Sequence, residues 1–140
     1  MSEYTFRFLA SQAAPTIVFT AADEANPMAP GNRAGWSSPS FKLSESNALA
    51  SLVEDGGHWL GTVHMLPDHI FSMSATYFPV KGAVDNIQLS GPIMSRQPES
   101  AIAIVGGGGK FAGARGQARC VVAMSDKDTP IYRYELTFNA

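Results

Sequence analysis

The chain has 140 residues, 45% of them hydrophobic, which is enough for one domain to bury a sizeable core without staples. A net charge of −2 with only 16% charged residues excludes the concentrated basic surface that phosphate neutralisation needs, and nucleic-acid binding with it. The single cysteine, Cys120, leaves no disulfide framework and no multi-cysteine metal site, and its small and β-branched neighbours predict a buried, inert thiol.

The opening residues, Met1 to Phe8, lack a basic segment followed by an apolar run, and no apolar stretch approaches membrane-spanning length. The expectation is a cytoplasmic protein with no membrane span. Tyr4 to Leu9 alternates Tyr4, Phe6 and Phe8 against Thr5 and Arg7, which predicts an amphipathic strand. Thr16 to Thr20 is a second, short β-branched run. Residues 21–39 hold three prolines, two glycines and scattered Asn, Asp and Ser, and read as a long loop. Loops of that length commonly act as lids, and Met28 and Trp36 give this one apolar anchors. Ser40 to Val53 is ambiguous between strand and helical turn and is taken as strand.

His58 to Met65 and Ile70 to Phe78, joined by Leu66 to His69, read as a hairpin. Val84 to Ser90, Ser100 to Val105, Phe111 to Ala123 and Ile131 to Phe138 continue the succession of strands. Between the second and third of these lies Gly106 to Gly109, read as a tight turn. A phosphate-cradling loop is the competing reading, but Lys110 is followed by Phe111 rather than by Ser or Thr and a helix. Many short alternating strands without a helix-period segment predict an all-β fold: a closed antiparallel β-barrel of about eight strands around a central apolar cavity.

Parity assigns the faces. Phe71, Met73, Ala75 and Tyr77 should point inward from one strand; Ile87 and Leu89 from the next, with Ile93 near the barrel end. Tyr132, Tyr134, Leu136 and Phe138 should point inward from the last. The glycine-rich strand offers only Ala112, Ala114, Gly116, Ala118 and Cys120. Small residues facing aromatics leave either close packing or a cavity. With a cavity, the lining candidates are Phe6, Phe8, Trp36, Val63 and Met65, together with Phe71, Met73, Ile87, Leu89 and Ile93, covered by the 21–39 loop.

Ala75-Thr76-Tyr77, then Gly82, Leu89-Ser90-Gly91-Pro92 and Gly106 to Gln117, followed by the aromatic strand Ile131 to Leu136, resemble the allene oxide cyclase and dirigent superfamily. There Ala-Thr-Tyr, Gly, Val-Gln-Gly-Pro and Gly-Gly-Ser-Gly-x-Phe recur in this order and at nearly this spacing. The resemblance covers the C-terminal half well and the first third poorly. It implies a single barrel over 1–140 and a homotrimer. The positions where allene oxide cyclases carry an acid and an asparagine fall near Val18 and Thr20, the tyrosine position on Ile93, and the cysteine position on Leu60 or Val63. None of these ionises, so the resemblance carries the fold and not allene oxide cyclisation itself. The dirigent comparison departs similarly, with Lys110 after the glycines and no acidic residues carried over to the pocket.

Among the remaining polar residues, His58 and His64 share a face with Thr62 opposite Trp59, Val63 and Met65, and are expected to point outward. With His69 in a turn, no histidine spacing commends a metal site. Glu54-Asp55 before Gly56-Gly57 reads as a solvated turn. Asp85 has inward parity at a strand start; within a pocket it would serve as a general acid or base. Tyr77, Tyr132 and Tyr134 are the stronger catalytic candidates, since a phenol can polarise a carbonyl without ionising. The expected function is a cofactor-independent cyclase or isomerase that folds a small hydrophobic, natural-product intermediate into a reactive shape. The rival is a lipocalin-like carrier with the same pocket, and a filled barrel acting through its surface is the third reading.

Overall fold

The computed structural model of the chain describes residues 1–11, 17–20, 29–43, 52–94, 96–126 and 129–140. Its strands are β1 (Glu3–Ser11), β2 (Ile17–Thr20), β3 (Arg33–Phe41), β4 (Glu54–Leu66), β5 (Ile70–Phe78), β6 (Asn86–Met94), β7 (Glu99–Gly108), β8 (Arg115–Asp126) and β9 (Thr129–Asn139). They run β1-β9-β8-β7-β6-β5-β4-β3-β2 in one antiparallel sheet, and β1 also pairs β3 at Leu9 and Phe41. Eight strands therefore close into a barrel, with β2 lying along β3 at the seam. Closure removes the two exposed edges that an open sheet of this size would present. No helix among the described residues is long and apolar enough to cross a membrane.

Alternation decides the inside. Phe71, Met73, Ala75 and Tyr77 on β5, Ile87, Leu89 and Ile93 on β6, and Tyr134, Leu136 and Phe138 on β9 are all buried in one cluster, as their period-two spacing requires. The outer face carries the charges: Arg7 of β1 meets Glu135 of β9 at 2.7 Å, and Arg119 of β8 pairs Glu99 of β7. Arg115 donates to the carbonyl of Ala114, so two of the three cations that follow the glycines are engaged on the barrel wall.

Four expectations change. Residues 33–39, expected in a lid-like loop, are strand β3 inside the barrel wall, paired with β2 on one edge and β4 on the other. Pairing on both edges overrides a turn-like composition, and Pro39 sits at a register shift, where a missing N–H does least harm. Residues 21–28 of that loop lie outside the described residues. The strand expected over Ser40 to Val53 ends at Phe41; Lys42 and Val53 are joined by a 2.8 Å backbone hydrogen bond, and 44–51 lie outside the described residues.

The glycine cluster is not itself the turn. Gly106, Gly107 and Gly108 extend β7 opposite Gln88, Ile87 and Asn86, and the turn runs from Gly109 to Ala114, so that Ala112 is exposed. The reason is Phe111, which folds back into the barrel and is 1% exposed. Its ring meets Tyr4, Phe6 and Phe138 edge-on at 5.1, 5.7 and 5.4 Å. A Cβ at Gly107 would collide with the carbonyl of Phe111 and approach that of Asn86 to 2.7 Å, so only glycine lets this turn close. The fourth change, at Glu54 to Gly57, belongs to the site.

Candidate functional site

Polar groups inside an apolar barrel are few, and they come from neighbouring strands. On β3 the inward face reads Ala34, Trp36, Ser38, Ser40, a series that ends in small hydroxyls. Opposite Ser40, strand β4 does not keep step: Phe41 pairs Glu54 while Pro39 pairs His58, so the one residue of β3 between them faces three of β4. The surplus is absorbed at Asp55-Gly56-Gly57, where Gly56 has φ +88°. Such a bulge re-aims a side chain. Here it turns Asp55 onto Ser40, whose Oγ donates to the Asp55 carboxylate at 2.6 Å, while the N–H of Gly57 donates to the same oxygen at 2.8 Å.

Tyr77 of β5 completes the group. It is 4% exposed and Ser40 is wholly buried. Its hydroxyl lies beside that of Ser40. Ser40 has one proton, and it is given to Asp55. Both hydroxyls sit over Gly57: a Cβ there would collide with Ser40 Oγ and come within 3.0 Å of Tyr77 Oη. Burial pushes the Tyr77 hydroxyl up to about 12; the neighbouring Ser40 hydroxyl pulls the other way and the Asp55 charge adds to the rise. The hydroxyl is therefore neutral through the physiological range.

A second tyrosine lies deeper. Tyr134 of β9 donates to Met73 Sδ at 4.0 Å and lies beside Cys120. Burial, then the neighbouring Cys120, holds its hydroxyl well above the ordinary phenol value. Phe8 of β1 stacks on both tyrosines, at 4.2 Å from Tyr77 and 5.3 Å from Tyr134, with interplanar angles of 13° and 14°. Trp59 packs on Tyr134 at 4.8 Å and on Trp36 at 5.5 Å. Burial also pushes Tyr132 up to about 12 and the Cys120 thiol up to about 11.

The structure thus brings Tyr77, Tyr132 and Tyr134 into one interior with Phe6, Phe8, Trp36, Val63 and Met65, and the same cluster holds the inward residues of β5 and β6. Asp85 is placed elsewhere. It precedes β6 at the glycine turn, where its Oδ1 accepts the Lys110 N–H at 2.9 Å and lies against Gly109, whose φ is +63°. His58 and His64 lie on the outer face; His58 Nε2 meets Ser37 Oγ at 2.6 Å. Among the described residues no cluster of His, Cys, Asp and Glu is placed to hold a metal ion.

Ser40 and Asp55 are the residues that sequence reasoning missed. Glu54 to Gly57 is not a solvated turn: it lies within β4, and its acid faces a buried serine. The signal was available in Asp-Gly-Gly set directly before an alternating strand, a composition that suits a bulge as well as a turn.

By sequence the chain matches no family model and no curated protein. Solved structures do match. The pterocarpan synthase dirigent protein GePTS1 superposes with a TM-score of 0.79 at 20% identity, over 98% of this chain and 89% of that one. The fold is a dirigent-like, allene oxide cyclase-like β-barrel. Two further structures carry the same architecture. Pyocyanin demethylase has a TM-score of 0.65 at 15% identity, covering 99% of this chain and all of its own. A nonspecific heme-binding cyclase that catalyses a 4 + 2 cycloaddition in neoabyssomicin biosynthesis has 0.63 at 14%, over 99% of this chain and 64% of that one. At these identities the dirigent-like barrel is shared as a fold, and the chemistry has to be read from the residues.

Proposed function

We propose that the barrel binds a flexible, hydrophobic natural-product intermediate and cyclises or isomerises it without a cofactor. The observation that carries this reading is the Tyr77 hydroxyl: a buried, neutral phenol set in an aromatic interior beside the Ser40 hydroxyl. An apolar wall folds the substrate into a near-attack shape, which removes orientational entropy from the barrier. Tyr77 and Tyr134 supply hydrogen-bonding groups where charge develops on oxygen. Neighbours of the same fold that act in pterocarpan synthesis and in cycloaddition support a barrel that shapes such intermediates.

The test begins with ligand identity. Native mass spectrometry of protein taken gently from its own host, followed by small-molecule analysis after denaturation, should yield an apolar ligand whose unsaturation indicates the substrate. With that substrate, Tyr77→Phe should lower kcat at least tenfold with little change in KM, since a hydrogen bond strengthened only in the transition state is lost. A Tyr77→Phe variant that changes affinity alone, with no turnover in the parent, would assign the barrel to a carrier.

A further inference from the structure

We infer that Phe111 is a stopper: its ring closes the barrel at the end where β7 turns into β8, and so sets how long a ligand the interior takes. The inference rests on the interior-binding reading above and names a residue that determines specificity there. The group that meets it must be apolar, an alkyl or aryl terminus. Among the described residues, every other large side chain buried in the interior cluster comes from a strand, whereas Phe111 comes from a connection. Strand side chains point across a barrel. Only a connection that folds inward can close its end.

The end wall is built from four rings. Tyr4, Phe138 and Phe6 stand in a row, with Tyr4 and Phe6 at 5.4 and 6.1 Å from Phe138 and interplanar angles of 22° and 19°. Phe111 lies across that row, at 84° to Tyr4, 82° to Phe6 and 85° to Phe138. Edge-to-face contacts of this kind are favourable beyond their buried area. Phe6 is in turn 6.1 Å from Tyr77, so the stopper lies one ring away from the proposed reacting group. On its other side the exposed Lys110 places its ammonium 5.1 Å from the Phe111 centroid. The ring therefore meets solvent through a cation and the interior through aromatic carbon.

The glycine cluster serves this ring rather than an anion. Gly109 and Gly113 bracket it at φ +63° and +78°, a region that glycine enters without steric cost. The Ala112 N–H donates to the Gly109 carbonyl at 3.1 Å and the Ala114 N–H to the Phe111 carbonyl at 3.0 Å. Gly107 leaves the room that the Phe111 carbonyl occupies. Asp85 Oδ1 accepts the Lys110 N–H at 2.9 Å and ties the turn to the start of β6. Asp85 is thus a positioning residue for the stopper.

A closed end limits a ligand from one side. Each added methylene gains contact until the ligand meets the ring, and the next one has nowhere apolar to go. The test uses the n-alkylbenzenes from toluene to hexylbenzene, titrated into the full chain and followed by the fluorescence of Trp36 and Trp59, which both belong to the interior cluster. In wild type the affinity should rise about fourfold per methylene and then stop. In Phe111→Ala the stop should move up by about three carbons, as the space left by a buried ring allows, and in Phe111→Leu by about one. Wild type also supplies a measurement that needs no variant. At the longest ligand that still gains, one end of the molecule should give a nuclear Overhauser effect to the Phe111 ring protons.

A stop that stays in place in a folded variant overturns the inference. So does a wild-type series that never stops, or a bound ligand with no contact to the Phe111 ring. Should Phe111→Ala fail to fold, Phe111→Leu and the wild-type contact decide. A wild type that binds no alkylbenzene overturns the interior-binding reading instead, and the stopper is then judged alone: Phe111→Ala should admit benzene into the space the ring leaves, and refusal overturns it.

Discussion

At the scale of single residues, the interior is defined by phenols and a thiol that burial keeps protonated. Tyr77 and Tyr132 are pushed up to about 12, Cys120 to about 11, and Tyr134 lies well above the ordinary phenol value. Each folded-state value is raised, so the folded chain keeps protons that the unfolded chain releases. The resulting stability is whole below the unfolded values, near 9 for the thiol and 10 for the phenols, and is lost as pH rises through the folded ones. The urea midpoint should therefore hold to about pH 9 and fall between 9 and 12, each group adding at most about 1.4 kcal/mol per pH unit. Tyr134→Phe should flatten the slope in the upper part of that window. A midpoint that stays level to pH 11.5 would mean the phenols ionise as freely in the folded chain as in solution. Asp85 belongs to a different account: its hydrogen bond to Lys110 fixes the glycine turn, so its first effect is on where Phe111 sits.

At the scale of elements, the bulge in β4 and the turn after β7 set the two features of the interior that matter. Gly57→Ala places a methyl group against Ser40 Oγ, 3.0 Å from Tyr77 Oη and 3.0 Å from the Phe78 carbonyl. The backbone carbonyl cannot yield far, so the variant should lose about 1–3 kcal/mol by overpacking and should part the two hydroxyls. Thermal melts would read the first effect and the Tyr77 ¹³Cζ shift the second; an unchanged melting temperature would show that the bulge has slack. The same elements explain what could be read in advance. Strands β5, β6 and β9 were legible because Phe71 to Tyr77, Ile87 to Leu89 and Tyr134 to Phe138 keep strict alternation, and burial follows it. Strand β3 was not, because Gly35, Ser37, Ser38 and Pro39 have turn chemistry and take their strand geometry from pairing across β4. Asp55 escaped for a related reason: a bulge breaks parity at the residue it re-aims, so no alternation rule assigns that residue a face.

At the scale of the molecule, the barrel is strongest away from its seam, and this bears on how a ligand enters a closed wall. β1 and β9 pair through nine residues on each strand, from Glu3 opposite Asn139 to Ser11 opposite Ile131. Across the seam, among the described residues, β1 pairs β3 at Leu9 and Phe41, and the short β2 covers Arg33 to Trp36. Local opening follows the elements with the fewest ladder bonds, so β3 should part from β1 and β2 well before β9 parts from β1 or β8. β3 carries Ser40 and Trp36, and the Trp36 indole Nε1 is buried with no hydrogen-bond partner among the described residues. An opening at the seam would therefore give access to the Ser40–Asp55 pair and to an unsatisfied donor together. Native-state hydrogen exchange should show the amides of 33–41 at least tenfold less protected than those of 131–138, and a bound ligand should slow the first set more than the second. Equal protection around the ring would mean that the barrel opens only by global unfolding, and that ligands must enter through its ends.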